Sequence, residues 1–161
     1  MKWGHTMQVG HLTVALSVAT YDWNPKTIAF CVGMHFMPNA DALVERSGLV
    51  KPGFHCTVTH SILFALVVSG IIAIWSPHYA VFALAAILSH YAADIGSTVG
   101  LPLLWPFVKK RYTLALFKDT GYWGWDMLIG YYKQPMAWVV EGAVLVFLIY
   151  RLFKIGVLGS T

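Results

Sequence analysis

From Pro52 to Ala93 the chain carries no Asp, Glu, Lys or Arg. A surface helix of a soluble domain needs a polar or charged face, and an interval this long without one points to helices that are apolar all round. Its single break is "SPH", Ser76 to His78, where a proline starts a helix more readily than it continues one. A span needs roughly 20 apolar residues. The interval therefore predicts two spanning helices, Thr57 to Trp75 and His78 to Ser97, folded back on each other at Pro77.

The rest of the chain follows the same logic. Trp3 to Tyr21 is free of formal charge and ends in "DWNPK", a turn signal built on Asn24-Pro25. Its apolar core is interrupted by histidines and lacks a small-x-small cleavage site, so it reads as a retained helix rather than a signal peptide. Thr27 to Met37 is too short to span upright and reads as a half-helix or part of a tilted one. Gln134 to Tyr150 is closed by Arg151 and Lys154, with Trp138 and Tyr150 placed for the aromatic belts of a bilayer. "DTGYWGWDMLIGYY", Asp119 to Tyr132, reads as an interfacial segment or a lid. With 58% hydrophobic and 11% charged residues, composition agrees with a membrane protein.

The expected fold is all-α: one polytopic, membrane-embedded domain of four or five helices. A first hairpin covers 3–37, a site loop 38–56, a second hairpin 57–98, a basic and aromatic interfacial loop 99–133, and a C-terminal span 134–155. In that topology one side receives Lys2, Arg46, Lys51, Lys109, Lys110, Arg111, Lys118 and Lys133, and the other Lys26, Arg151 and Lys154. The richer side is expected to be cytoplasmic. The net charge of +4 is thus topology rather than a nucleic-acid surface, and no nucleic-acid partner is expected. Cys31 and Cys56 have no metal-type spacing and read as buried thiols.

The same fold-back gathers ligands. His60 and Asp94 lie equally far along the chain before and after Pro77, so they reach similar depth in an antiparallel hairpin. His90 and Asp94 share a helix face at i, i+4. His11 and Asp41 flank the first turn in the same way. His11, Asp41, His55, His60, His90 and Asp94 can therefore converge at the basic end of the bundle. Imidazole and carboxylate together suit zinc, and also manganese or iron. Six candidates without cysteine fit a catalytic site that leaves a position for water better than a closed structural one. The plainer readings are a solvent-exposed loop for His55, a hydrogen-bonded interior residue for His11, and an internal bond that neutralises the His90 and Asp94 pair. His5, His35 and His78 read as structural. Glu141, inside the last apolar run, reads as a partner for a buried polar group or a member of a pathway.

The order of "GHLTVALS", "MPNADAL", "HCTVTHS", "LSHYAAD" and "GLPLLWPF" resembles the YdjM-like family of membrane-bound metal-dependent hydrolases over roughly the first two thirds of the chain. That family's pattern is similar in ligand spacing to zinc-dependent phospholipases C and single-strand nucleases. The resemblance implies a phosphoester, including phospholipid, as substrate, with a metal-activated water as nucleophile. It implies that Asp41 or Asp94 ligates or bridges metal as a catalytic carboxylate, with His60 and His90 as imidazole ligands. His11 and His55 would complete a second metal or support the first. Zinc is the expected ion and manganese the alternative. Lys109, Lys110 and Arg111 would hold an anionic lipid group. The implied location is the bacterial inner membrane, with the site near the cytoplasmic face. Asn39 stands where the family pattern has its first Asp, and Cys56-Thr57 where it has Arg-Gly. Asn39 can still coordinate through its carbonyl oxygen but brings no charge. The competing class is a non-enzymatic membrane protein that binds or moves a divalent ion, or uses it to fasten helices.

Overall fold

The structure is a computed structural model that describes residues 8–51, 54–118, 120 and 125–159. Its helices are α1 (Gln8–Ala19), α2 (Pro25–Phe36), α3 (Ala40–Arg46), α4 (Ile62–Ala73), α5 (Pro77–Asp94), α6 (Trp125–Tyr132) and α7 (Pro135–Lys154), with single 3-10 turns at Met37–Asn39 and Val58–His60. No strand occurs among the described residues, only two isolated bridges, Ser97 with Phe117 and Leu101 with Tyr112. The protein is all-helical, as expected.

Local chemistry starts four of the helices, α2, α4, α5 and α7. Asn24 accepts from Lys26 N and Thr27 N ahead of α2, Ser61 accepts from Phe64 N ahead of α4, and Ser76 accepts from Tyr79 N ahead of α5, each satisfying N–H groups that the first turn leaves without a helical partner. Proline occupies the first positions of α2, α5 and α7, where its missing N–H costs nothing. The element bounds differ from expectation at the second hairpin. Its first arm begins at Ile62 rather than Thr57, because Val58–His60 forms a 3-10 turn that the Tyr91 hydroxyl holds by donating to Thr59 O at 2.6 Å and Ser61 O at 3.0 Å. Its second arm ends at Asp94, and Ile95 onward turns away.

α5 is the centre, packed against α1, α2 and α4, while α7 lies along α1. Ala80, Ala83, Ala86 and Ala93 on α5 are buried, and small side chains let neighbouring backbones approach closely. The segment 95–118 returns beneath the site. Leu103 O accepts from Ile62 N at 2.9 Å, and Gly100 takes a positive φ at a point where a Cβ would meet Tyr112 O at 2.8 Å, so only glycine fits this crossing. At the other end the two hairpin turns are joined by His78 Nε2 and Asp22 Oδ2 at 2.9 Å. Arg151 of α7 caps that end, with Nε donating to Thr20 Oγ1 and its guanidinium 4.0 Å above the Tyr21 ring.

Among the described residues α7 is the one helix long and apolar enough to cross a membrane, and Val9–Ala19 and Ile62–Ala73 are shorter apolar helices. Large apolar side chains stay exposed on the outer faces, Leu66, Val67, Ile71, Val146 and Phe153 among them. Of the aromatic segment expected to lie at an interface, Trp125–Tyr132 is the helix α6, and Asp119 and residues 121–124 lie outside the described residues.

Candidate metal centre

Five histidines and two aspartates are buried together where α1, α2, α3 and α5 meet the 54–61 segment: His11, His35, His55, His60, His90, Asp41 and Asp94, none more than 4% exposed. Among the described residues two triads have ligand atoms close enough to share an ion, His60 with His90 and Asp94, and His11 with His35 and His90.

In the first triad His60 Nε2 lies 3.4 Å from His90 Nε2, His90 Nε2 lies 3.1 Å from Asp94 Oδ2, and His60 Nε2 lies 3.7 Å from that same oxygen. Nitrogen and oxygen ligands about 2.0–2.1 Å from a tetrahedral ion are about 3.3 Å apart. The triad therefore has the edge lengths of one face of a tetrahedron, and its donors fit zinc or manganese.

In the second triad His11 Nδ1 and His35 Nε2 are 2.8 Å apart, and His11 Nε2 reaches Asp94 Oδ1 at 3.1 Å. His35 Nδ1 lies 3.1 Å from Ser89 Oγ. His90 belongs to both triads, and its Nδ1 is buried without a hydrogen-bond partner, leaving a second nitrogen for an ion.

Asp41 sits behind the first triad. Its Oδ1 is 2.5 Å from His55 Nδ1, and its Oδ2 accepts from Cys56 N at 3.1 Å and from the Thr59 hydroxyl. That hydroxyl also lies 3.0 Å from His60 Nδ1. A threonine that donates to the carboxylate must accept from the imidazole, so the neutral, metal-binding form of His60 carries its proton on Nδ1 and turns the Nε2 lone pair to Asp94 and His90. A carboxylate behind a ligand histidine orients the ring and raises its basicity. Burial alone would raise the Asp41 carboxyl and lower the His55 imidazole. Their neighbours outweigh it: hydrogen bonds from His55, His60 and Thr59 hold Asp41 below the ordinary carboxylate range, and Asp41 together with the Cys56 sulfur lifts His55 to about 9.

The six residues expected to converge do come together, but in distinct positions. His60, His90 and Asp94 point at one another, His11 reaches them through Asp94, and Asp41 and His55 form the supporting pair. His35, read as structural from sequence, belongs to the cluster. Glu45, which no sequence pattern singles out, joins it from α3: its Oε2 accepts from His55 N at 2.7 Å. The signal that could have found His35 is its place on the helix before "MPNADAL", one turn from Asn39. Asn39 has a buried Oδ1 with no hydrogen-bond partner. Arg111 is committed to the fold, donating to Val99 O and Gly100 O at 2.9–3.1 Å, while Lys109 and Lys110 are exposed. Cys31 and Cys56 are free, buried thiols, and His78 lies at the opposite end. His5 lies outside the described residues.

No curated protein and no solved structure matches the chain. A family model described as YdjM inner membrane protein matches residues 3–158, a stretch that contains both triads and the Asp41 pair. By that match, this chain belongs to the YdjM inner membrane protein family.

Proposed function

We propose that this protein is a membrane-bound, metal-dependent hydrolase of phosphoesters, with phospholipids as the nearest substrate class. The observation that carries the reading is the triad of His60 Nε2, His90 Nε2 and Asp94 Oδ2, separated by 3.1–3.7 Å at the end of a bundle with apolar outer faces. When bound, a divalent ion, zinc first and manganese second, supplies Lewis acidity to a phosphoester. The chain's own groups hold it: three donors face one point, and Asp41 with Thr59 keeps His60 in the tautomer that can ligate. Asp94 also faces His11, which places a third imidazole where a proton can be taken or returned. Lys109 and Lys110 would attract an anionic head group.

In this reading α1, α2, α4, α5 and α7 are the embedded helices of a multi-pass inner-membrane protein. The 12-residue helices α1, α2 and α4 are too short to cross the hydrocarbon core upright. They would lie in a locally thinned bilayer together with their longer partners. The exposed apolar faces of α4 and α7 favour lipid contact over water. The metal end would be cytoplasmic by the excess of Lys and Arg there.

One observation favours a second reading. All seven side chains of the cluster are buried, as a helix-fastening metal would require. Elemental analysis of the detergent-solubilised protein beside His90→Ala and Asp94→Ala separates the cases. Stoichiometric zinc or manganese, lost in monodisperse variants, with turnover of a phosphodiester or phospholipid, sustains the hydrolase. Metal whose removal unfolds the bundle, with no turnover, points to the structural role. A parent that stays metal-free after reconstitution with either ion sinks both.

A further inference from the structure

Away from the metal centre, α1, α6 and α7 enclose a crevice of about 470 Å³. Its walls are mostly apolar, with Val9 and Leu145 along its length, and one carboxylate, Glu141, faces into it. Glu141 Oε2 accepts from the Tyr132 hydroxyl at 2.9 Å, and that hydroxyl in turn accepts from Val9 N at 3.2 Å. Oε1 is buried and has no hydrogen-bond partner. An acceptor left unmatched in an apolar setting is costly, more so if charged, so the fold holds open a site for a donor.

The surroundings say which donor. Tyr132 and Trp138 line the same crevice, their rings 5.2 Å apart at 47°, and the Trp138 ring is pinned by its Nε1–H donating to Tyr132 O at 2.8 Å. A fixed aromatic pair beside a carboxylate offers a ring face to an ammonium group. Because the orphan atom is an acceptor, the cation must carry N–H, which favours a primary amine over a quaternary one. Glu141 stands about 9 Å along α7 from Pro135 and one turn past Trp138, a depth that a head group would reach where the bilayer thins around the 12-residue helices. Gly142 leaves the wall beside it open, with nothing within 4 Å of an added Cβ.

We propose that this crevice binds a bilayer lipid whose head group ends in a primary amine, with the ammonium between Glu141, Tyr132 and Trp138 and an acyl chain along Leu145. The site is independent of the metal centre and of any hydrolysis there.

The test is lipid retention by the full chain in native mass spectrometry, with phosphatidylethanolamine, phosphatidylcholine and phosphatidylglycerol of identical acyl chains supplied together. Phosphatidylethanolamine should be retained about tenfold over the other two. Glu141→Gln should abolish that preference, and Trp138→Leu, at an exposed position, should reduce it several-fold. Equal retention of the three lipids overturns the proposal, and so does a preference that survives both variants. Displacement of bound lipid by free ethanolamine at equal concentration also overturns it, by making the ligand a soluble amine.

Discussion

His11 Nε2 lies 3.1 Å from Asp94 Oδ1, although 83 positions separate the two residues. The opposite oxygen of Asp94 lies 3.1 Å from His90 Nε2. One carboxylate thus joins α1 to the ligand triad formed by α5 and the 3-10 turn Val58–His60. Replacing it should do two things at once: remove an ion ligand and leave two buried imidazoles facing each other.

Asp94→Ala should therefore lose bound metal completely, whereas Asp41→Asn should keep it with an affinity lowered about 10–100-fold, as supporting carboxylates behave. Competition for zinc with a graded series of chelators measures both. Equal losses in the two variants would place Asp41 on the metal itself.

His35→Ala removes a ring that lies 2.8 Å from His11 Nδ1. If the first triad holds the ion, the variant should still bind one equivalent of metal. If the ion lies in the second triad, stoichiometry should fall towards zero. Elemental analysis of the variant distinguishes the two positions.

Tyr91→Phe deletes the hydroxyl that donates to Thr59 O and Ser61 O. The single O–H proton is shared between the two carbonyls, and one buried bond is worth about 0.5–1.5 kcal/mol, so the variant should lose about 0.5–1.5 kcal/mol of stability while the helices persist. Because the same hydroxyl holds His60 in its 3-10 turn, metal affinity should fall too. Thermal unfolding and zinc competition on one preparation report both effects.

The metal-free protein should show its own pH dependence. His55 has a folded-state pKa of about 9, above the ordinary 6.5, so the stability from its pair with Asp41 is fully present below about pH 6.5 and is lost as pH rises through 9. Asp41 is shifted the other way, so its contribution is present above the usual carboxylate range and disappears only in strong acid. Thermal denaturation of the chelated protein between about pH 6.5 and 9 should show a fall in stability from this group, and His55→Gln should flatten that slope.

Topology is accessible to labelling because Cys31 and Cys56 are buried and free. Lys26→Cys and Lys109→Cys should react with an impermeant maleimide from opposite sides of sealed vesicles. Labelling from the same side would change the number of crossings.

Much of the architecture is local and was legible in the chain. Asn24-Pro25 and Ser76-Pro77 specify their turns through side-chain caps and a fixed proline φ, which depend on a few adjacent residues. The absence of charge between Pro52 and Ala93 required apolar helices, and i, i+4 spacing put His90 and Asp94 on one face. Tertiary structure decided what depends on helix rotation and on contacts between distant segments. "HCTVTHS" stays out of α4 because Tyr91, 30 positions after Ser61, binds its carbonyls. Asp41 turns its oxygens to His55, Thr59 and the far side of the His60 ring, with Oδ2 3.7 Å from Nδ1, rather than to the nitrogens that face Asp94. His35 enters the cluster because packing of α2 on α5 carries it beside His11 and Ser89; its spacing of one turn from Asn39 is compatible with that position but does not by itself set the rotation of α2.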